Sequence, residues 1–232
     1  MRFFSALTND IRYQVKYGFY FIYALISAFY IAALLFCPPE YKKLTASIII
    51  LTDPAMLGLF FIGGIWLLEK SEGLHGFWMI SPLLPLEYIL SKSVSLGIIS
   101  TLTTGIIALL GLCESVNYLL LLSGVFFGSL SFTVIGLLTA TYARSVNQYF
   151  IIVLPPAGLL ATPAIFTAFG ISHPVFDVFP GTAMWRLIAA SLDIEPAAPW
   201  MCAVLALWLA TVLGLACKRI PIAMRTDGGG EI

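Results

Sequence analysis

Glu69-Lys70-Ser71-Glu72-Gly73-Leu74-His75-Gly76-Phe77-Trp78-Met79-Ile80-Ser81-Pro82-Leu83-Leu84-Pro85-Leu86-Glu87-Tyr88-Ile89-Leu90-Ser91-Lys92 is a short charged stretch set between two long apolar ones. Its interior predicts a short helix lying along a membrane surface. Leu74, Phe77, Trp78 and Met79 follow Gly73 at spacings that put bulk on one side, which leaves Glu72 and His75 to face water. Pro82 and Pro85 stop that helix, and residues 87–92 lead into the next apolar run. The plain alternative is a solvated loop whose aromatic side chains dip into the lipid headgroups.

The flanks of this stretch set the class of the protein. The chain is 60% hydrophobic and 10% charged, against roughly 45–50% and about 25% for soluble domains. It is an integral membrane protein. Apolar runs cover about residues 18–37, 46–68, 94–112, 118–141, 149–169 and 200–217, each near the ~20 residues that a bilayer core demands. The expected fold is all-α, one transmembrane domain over 1–232 with six transmembrane helices. No hydrophilic stretch reaches domain size, so an enzyme activity would have to sit within the membrane, and no paired catalytic groups align at a common depth. The formal net charge is zero, which argues against a nucleic-acid surface. The four cysteines, Cys37, Cys113, Cys202 and Cys217, lack metal-ligand spacing and are expected to be packing residues, with a bridge from Cys37 to Cys113 or Cys202 as the lesser alternative.

Residues 1–17 carry Phe3, Leu7, Ile11 and Val15 four apart, with Asn9, Asp10, Arg12 and Lys16 between them. This predicts an amphipathic interfacial helix, or one that packs on a soluble partner; the pattern is not that of a signal peptide. Within the second run stands Asp53, followed by Pro54. A carboxylate there costs a few kcal/mol unless it is paired, wet or protonated, and Pro54 frees a carbonyl one turn earlier. Asp53 and Pro54 are therefore candidates for a transport path, the alternative being a structural bend near the outer interface. Gly124 and Gly128 form a Gly-x-x-x-Gly pair expected to pack within the subunit. Pro155, Pro156 and Pro163 interrupt the fifth run, as either a kinked structural helix or a broken one lining a path.

Residues 170–199 are too polar and proline-rich to cross. They still hold bulky Phe176, Phe179 and Trp185, and from 182 to 192, with Thr182 as N-cap, they fit a short amphipathic helix dipping into the outer leaflet. His173 has no second histidine near it, so a metal site is not expected. Gly228, Gly229 and Gly230 lack the strand, lysine and helix of a phosphate loop and are expected to be a disordered tail.

Of 12 Lys and Arg residues, those on the side of the termini are Arg2, Arg12, Lys16, Lys70, Lys92, Arg144, Lys218, Arg219 and Arg225. The other side has only Lys42, Lys43 and Arg186. The positive-inside rule thus puts both termini and the 69–92 stretch in the cytoplasm.

The stretch resembles the segment after the second membrane helix in permease subunits of the ABC-2 type. The matching elements are Glu69-Lys70, Glu72-Gly73, Ser81-Pro82, Tyr88 to Leu90 and Ser91-Lys92. Thr52-Asp53-Pro54-Ala55, Phe61-Ile62-Gly63-Gly64 and Leu68-Glu69-Lys70 are similar to the fluoroquinolone-export subgroup. The resemblance implies an elbow helix over 1–17, a cytoplasmic coupling segment over 69–93 and an outer re-entrant segment over 170–199. It implies an export permease of the bacterial cell membrane, moving a hydrophobic or amphiphilic small molecule. Its partners would be a second permease chain, identical or not, and cytoplasmic ATPase subunits that bind ATP and magnesium, since this chain has no cofactor site or Walker sequence of its own. Glu69, Glu72, Gly73, Leu74, His75, Phe77 and Trp78 would meet the ATPase, Asp53, Pro54, Pro155 and Pro156 would line the path, and Phe176, Phe179 and Trp185 would close its outer end. A haem-export permease of cytochrome c maturation is the alternative within the family. An ion-coupled secondary carrier is the alternative outside it, although Asp53 stands nearly alone and no internal repeat is evident.

Overall fold

The computed structural model describes residues 2–112 and 115–228. Every regular element among them is helical. The chain runs through α1 (Arg2–Lys16), α2 (Phe19–Phe36), α3 (Pro39–Thr52), α4 (Leu57–Ser71), α5 (Leu74–Ile80) and α6 (Pro85–Ile107), which a wider π turn at Ala108–Leu112 extends. It continues through α7 (Tyr118–Ala140), α8 (Val146–Ala168), a short tight helical turn at Phe176–Val178, α9 (Pro180–Ser191) and α10 (Trp200–Gly228). Among the described residues 6 helical segments are long and apolar enough to cross a membrane. Cys113 and the turn residue Glu114 lie outside the described residues, as do Gly229 and Gly230. Cys37, Cys202 and Cys217 are free thiols.

Local chemistry sets most boundaries. Pro39 and Pro85 stand in the first turns of α3 and α6, where a missing N–H costs nothing. The Glu87 carboxylate accepts the Leu84 N–H at 2.9 Å, and the Asn117 and Ser145 side chains cap α7 and α8. Several spans are longer than the apolar runs alone suggest. The second crosses from Pro39 to Ser71 and takes in Lys42 and Lys43; the third begins at Pro85; the last continues through Lys218 and Arg219.

The second span is two helices joined at Pro54. Proline has no N–H for the Ile50 carbonyl, and the Ala55 N–H takes that carbonyl instead at 3.0 Å. The Pro54 carbonyl in turn accepts the Leu57 N–H of α4 at 3.4 Å and the Ser100 hydroxyl of α6. The break is thus satisfied inside the bundle. In α8, by contrast, Pro155, Pro156 and Pro163 lie within one continuous helix.

The central helix is α7, with 67% of its apolar window buried, whereas α2 and α10 are peripheral at 17% and 22%. A β-carbon at Gly124 would press on Leu187 and one at Gly128 would overlap the Met184 sulfur. The Gly-x-x-x-Gly pair therefore seats α9 within the same subunit. Gly181 does the same from the other side, passing so close to the Leu160 carbonyl of α8 that no side chain fits.

The amphipathic spacing of α9 leads to the expectation of one side open to its surroundings, but the structure encloses the helix. Nearly every residue of α9 is buried, Arg186 being the half-buried exception, because α3, α7, α8 and α10 surround it. The helix begins at Pro180 with Phe179 before it, so Thr182 is not its N-cap but a buried residue of the first turns.

Candidate functional site

The end of the molecule that carries α1, α5, the last turn of α4 and the first turns of α6 holds a buried ion cluster. Lys92 of α6 is 2% exposed. Its ammonium donates to Glu69 Oε1 of α4 at 2.6 Å and to Asp10 Oδ1 of α1 at 2.9 Å. The remaining carboxylate oxygens are met as well: the Tyr88 hydroxyl donates to Glu69 Oε2 at 2.8 Å and the Ser91 hydroxyl to Asp10 Oδ2 at 2.7 Å. The rings of Tyr88 and Trp78 lie 4.9 and 6.0 Å from the ammonium, within cation–π range. One cation thus holds two anions from two other helices, and all four carboxylate oxygens are paired. Removing the lysine would leave both carboxylates buried side by side, a loss that costs far more than an exposed pair ever returns.

The cluster determines how α1 sits. Its buried positions are Ala6, Asp10 and Gln14, four apart, and Gln14 donates to Ser95 Oγ at 2.7 Å. The apolar positions Phe3, Leu7 and Ile11 are only half-buried and Val15 is exposed. The helix is amphipathic as expected, but its polar stripe is the one turned into the protein. Two further contacts fix its ends: Arg2 Nη1 donates to the Pro82 carbonyl at 2.9 Å, and the Tyr17 hydroxyl to Glu72 Oε1 at 2.9 Å. Burial, the Tyr17 hydroxyl and then the Glu72 carboxylate push the Tyr13 hydroxyl far above the ordinary phenol range, so it remains protonated beside Glu72.

Gly73, at a φ of 72°, makes the left-handed turn that sets α5 across the end of α4. The expected facing of α5 is reversed in one respect. His75 does not face water: it is 2% exposed and packs on Trp66, ring centroids 4.2 Å apart. Phe77 and Ile80 project outward instead, 60% and 84% exposed. Trp78 is half-buried, edge-on to Tyr88 at 5.6 Å. Between α1 and α5 runs a groove of about 800 Å³, whose walls include Phe4, Thr8, Arg12, Phe77 and Pro82.

Of the residues singled out for contact with a partner, Glu72, Gly73 and Phe77 are exposed and Leu74 and Trp78 half-buried. Glu69 and His75 are enclosed by their own chain, so they support the surface and do not form it. Reasoning from sequence missed Asp10, Gln14, Tyr88 and Lys92 as one cluster. The available signal was a lysine and an aspartate on helices bordering the membrane, where an ionisable group needs a partner.

The remaining candidates are dispersed. Asp53 lies near the middle of the second span and is half-buried. Pro155 is exposed and Pro156 half-buried on α8. Phe176 stacks on Phe166 at 6.3 Å and Phe179 is half-buried. Trp185 is sealed in the bundle at 1% exposure, its indole N–H on Ser47 Oγ at 3.3 Å, and could move only by unpacking α9.

The sequence has known relatives. A sequence profile of the fluoroquinolones export permease protein family matches residues 1–222. Two fluoroquinolones export permease proteins from two strains of Mycobacterium tuberculosis are each 26% identical over 200 residues, which is 86% of this chain and 84% of theirs. The match begins with α1 and its buried Asp10, includes the whole of the ion cluster and α5, and ends within α10. On that extent, this multi-pass helical membrane protein belongs to the fluoroquinolones export permease protein family.

Proposed function

We propose that the chain is the membrane subunit of an ATP-driven drug exporter in the bacterial cytoplasmic membrane. It works with a second permease chain and with separate cytoplasmic ATPase subunits that bind ATP and magnesium. The observation that carries this reading is the joining of α1, α4 and α6 by Lys92 and its two carboxylates, with the Trp78 ring of α5 beside the same ammonium, directly behind an exposed apolar helix face. A push on Phe77 is passed through Trp78 and Tyr88 to Glu69 at the end of the second span and to Asp10 on α1. The second and third spans and α1 then move together, as a closing pair of ATPases requires of its permease. The excess of Lys and Arg on this side supports a cytoplasmic location. The names borne by the relatives support a planar, amphiphilic drug as cargo, and their subgroup favours drug export over haem export.

In this reading Glu72, Gly73, Leu74, Phe77 and Trp78 meet the ATPase, and Glu69 and His75 act through them. The second span at Asp53 and Pro54 and the fifth at Pro155 and Pro156 border the path, and Phe176 and Phe179 close it outside, with Trp185 as their fixed support. The test is gentle detergent purification of the intact assembly from its own host, with mass identification of the chains that remain bound. A nucleotide-binding subunit should co-purify, and Phe77→Glu should release it. Glu72→Lys should instead leave ATP hydrolysis running without export. A chain that purifies alone and exports in liposomes given only an ion gradient overturns the proposal.

A further inference from the structure

We propose that a cavity between α2, α4 and α8 is a binding site for a hydrophobic monovalent cation, with Asp53 as its counter-charge. The cavity measures about 350 Å³, within the range of small-molecule sites. Six of its lining residues are aromatic, among them Phe19, Tyr23, Phe61 and Tyr149, and Asp53 is its sole charged lining residue. Phe61 stands edge-on to both Phe19 and Tyr23, at 5.2 and 5.3 Å between centroids, so ring faces and edges of three helices wall one space. Tyr149 is held rigidly, its hydroxyl donating to the Leu59 carbonyl.

The carboxylate is incompletely satisfied. Its Oδ2 is buried without any hydrogen bond among the described residues. A buried carboxylate oxygen without a partner is expensive near the middle of a span, and such a group faces a path or a ligand more often than not. The contrast with the ion cluster is direct: there every carboxylate oxygen is paired by the chain itself. At Asp53 the missing partner is a cation, and the rings around it offer the quadrupole that favours a cation with delocalised, weakly hydrated charge. A neutral acyl chain would fill the volume but leave Oδ2 as it is. An anion would be repelled.

The identity of this ligand as transported cargo rests on the export reading, but its binding does not, so the test uses the purified full-length chain in detergent without any ATPase. Equilibrium dialysis compares tetraphenylphosphonium with tetraphenylborate, which match in shape and oppose in charge. The cation should bind in preference, and Asp53→Asn should weaken it by roughly ten-fold or more while leaving the borate unchanged. Gly64 also lines the cavity and a β-carbon there meets nothing within 4 Å. Gly64→Leu should therefore block the cation without disturbing the packing, which keeps the test decisive if Asp53→Asn folds poorly. Equal binding of the two probes, or unaltered cation binding in both variants, overturns the site. Cation binding that depends on Asp53, found in a chain that supports no export in cells, upholds the site and counts against the export reading instead.

Discussion

Two of the short helices outside the spans, α1 and α9, are held by opposite means. α1 is fastened by charge: its polar stripe meets a lysine and two serines of α6, and its apolar positions are half-buried or exposed. α9 is fastened by shape: glycines at 124, 128 and 181 remove side chains at the points of closest approach, and what remains is close-packed on every side. Together they show how a membrane protein can bury a helix without a hydrophobic gradient between its interior and the lipid. It either offers a polar partner that lipid cannot supply or brings backbones nearer than lipid can.

Loss of the charge fastening should be the most damaging change in the molecule. Lys92→Met leaves two buried carboxylates facing each other and should destabilise the purified protein by about 3–5 kcal/mol, read as a fall in thermal unfolding temperature in detergent. Combining it with Asp10→Asn and Glu69→Gln should recover most of that loss. Failure of the triple variant to recover would mean that packing, not charge balance, holds α1. The shape fastening should yield less: Gly181→Ala drives a methyl into the α8 backbone and should cost about 1–3 kcal/mol in the same assay, with no rescue by any charge change. Within the spans, Tyr149→Phe removes the bond to the Leu59 carbonyl and should cost about 1 kcal/mol, leaving the ring against Gly63. The smallest effect belongs to the outer clamp, where Arg186 meets Asp177 at 2.8 Å and Glu195 at 3.2 Å. Arg186→Gln should cost under about 1 kcal/mol, and the difference from wild type should shrink at high salt.

The same comparison explains which parts of the fold were readable. Six apolar runs, the surface helix after Gly73 and the bend at Pro54 follow from local composition, because insertion, a left-handed glycine and a missing N–H are properties of single segments. The packing role of Gly124 and Gly128 was readable too. The facing of α1 and α5 was not. Phe3, Leu7, Ile11 and Val15 look like the buried stripe only if burial means leaving water; beside lipid the polar stripe is the one that needs the protein. His75 looked like a water-facing residue until Trp66 was placed beside it. For α9, the sequence offered bulky and polar residues at amphipathic spacing, and the enclosure of Trp185 depended on glycines far along the chain.

The candidate site divides in the same way. Glu72, Gly73 and Phe77 were recognisable from a short stretch, whereas the cluster behind them joins Asp10 to Ser91 and Lys92, 81 and 82 positions away. Sequence alone determined that the chain is a membrane protein with six apolar runs and a charged break between the second and third, because transfer into lipid is a sum over neighbouring residues. Which side of each helix faces inward was decided only by the tertiary structure. In a solvent as apolar as the core, only backbone approach and charge pairing between distant residues distinguish inside from outside.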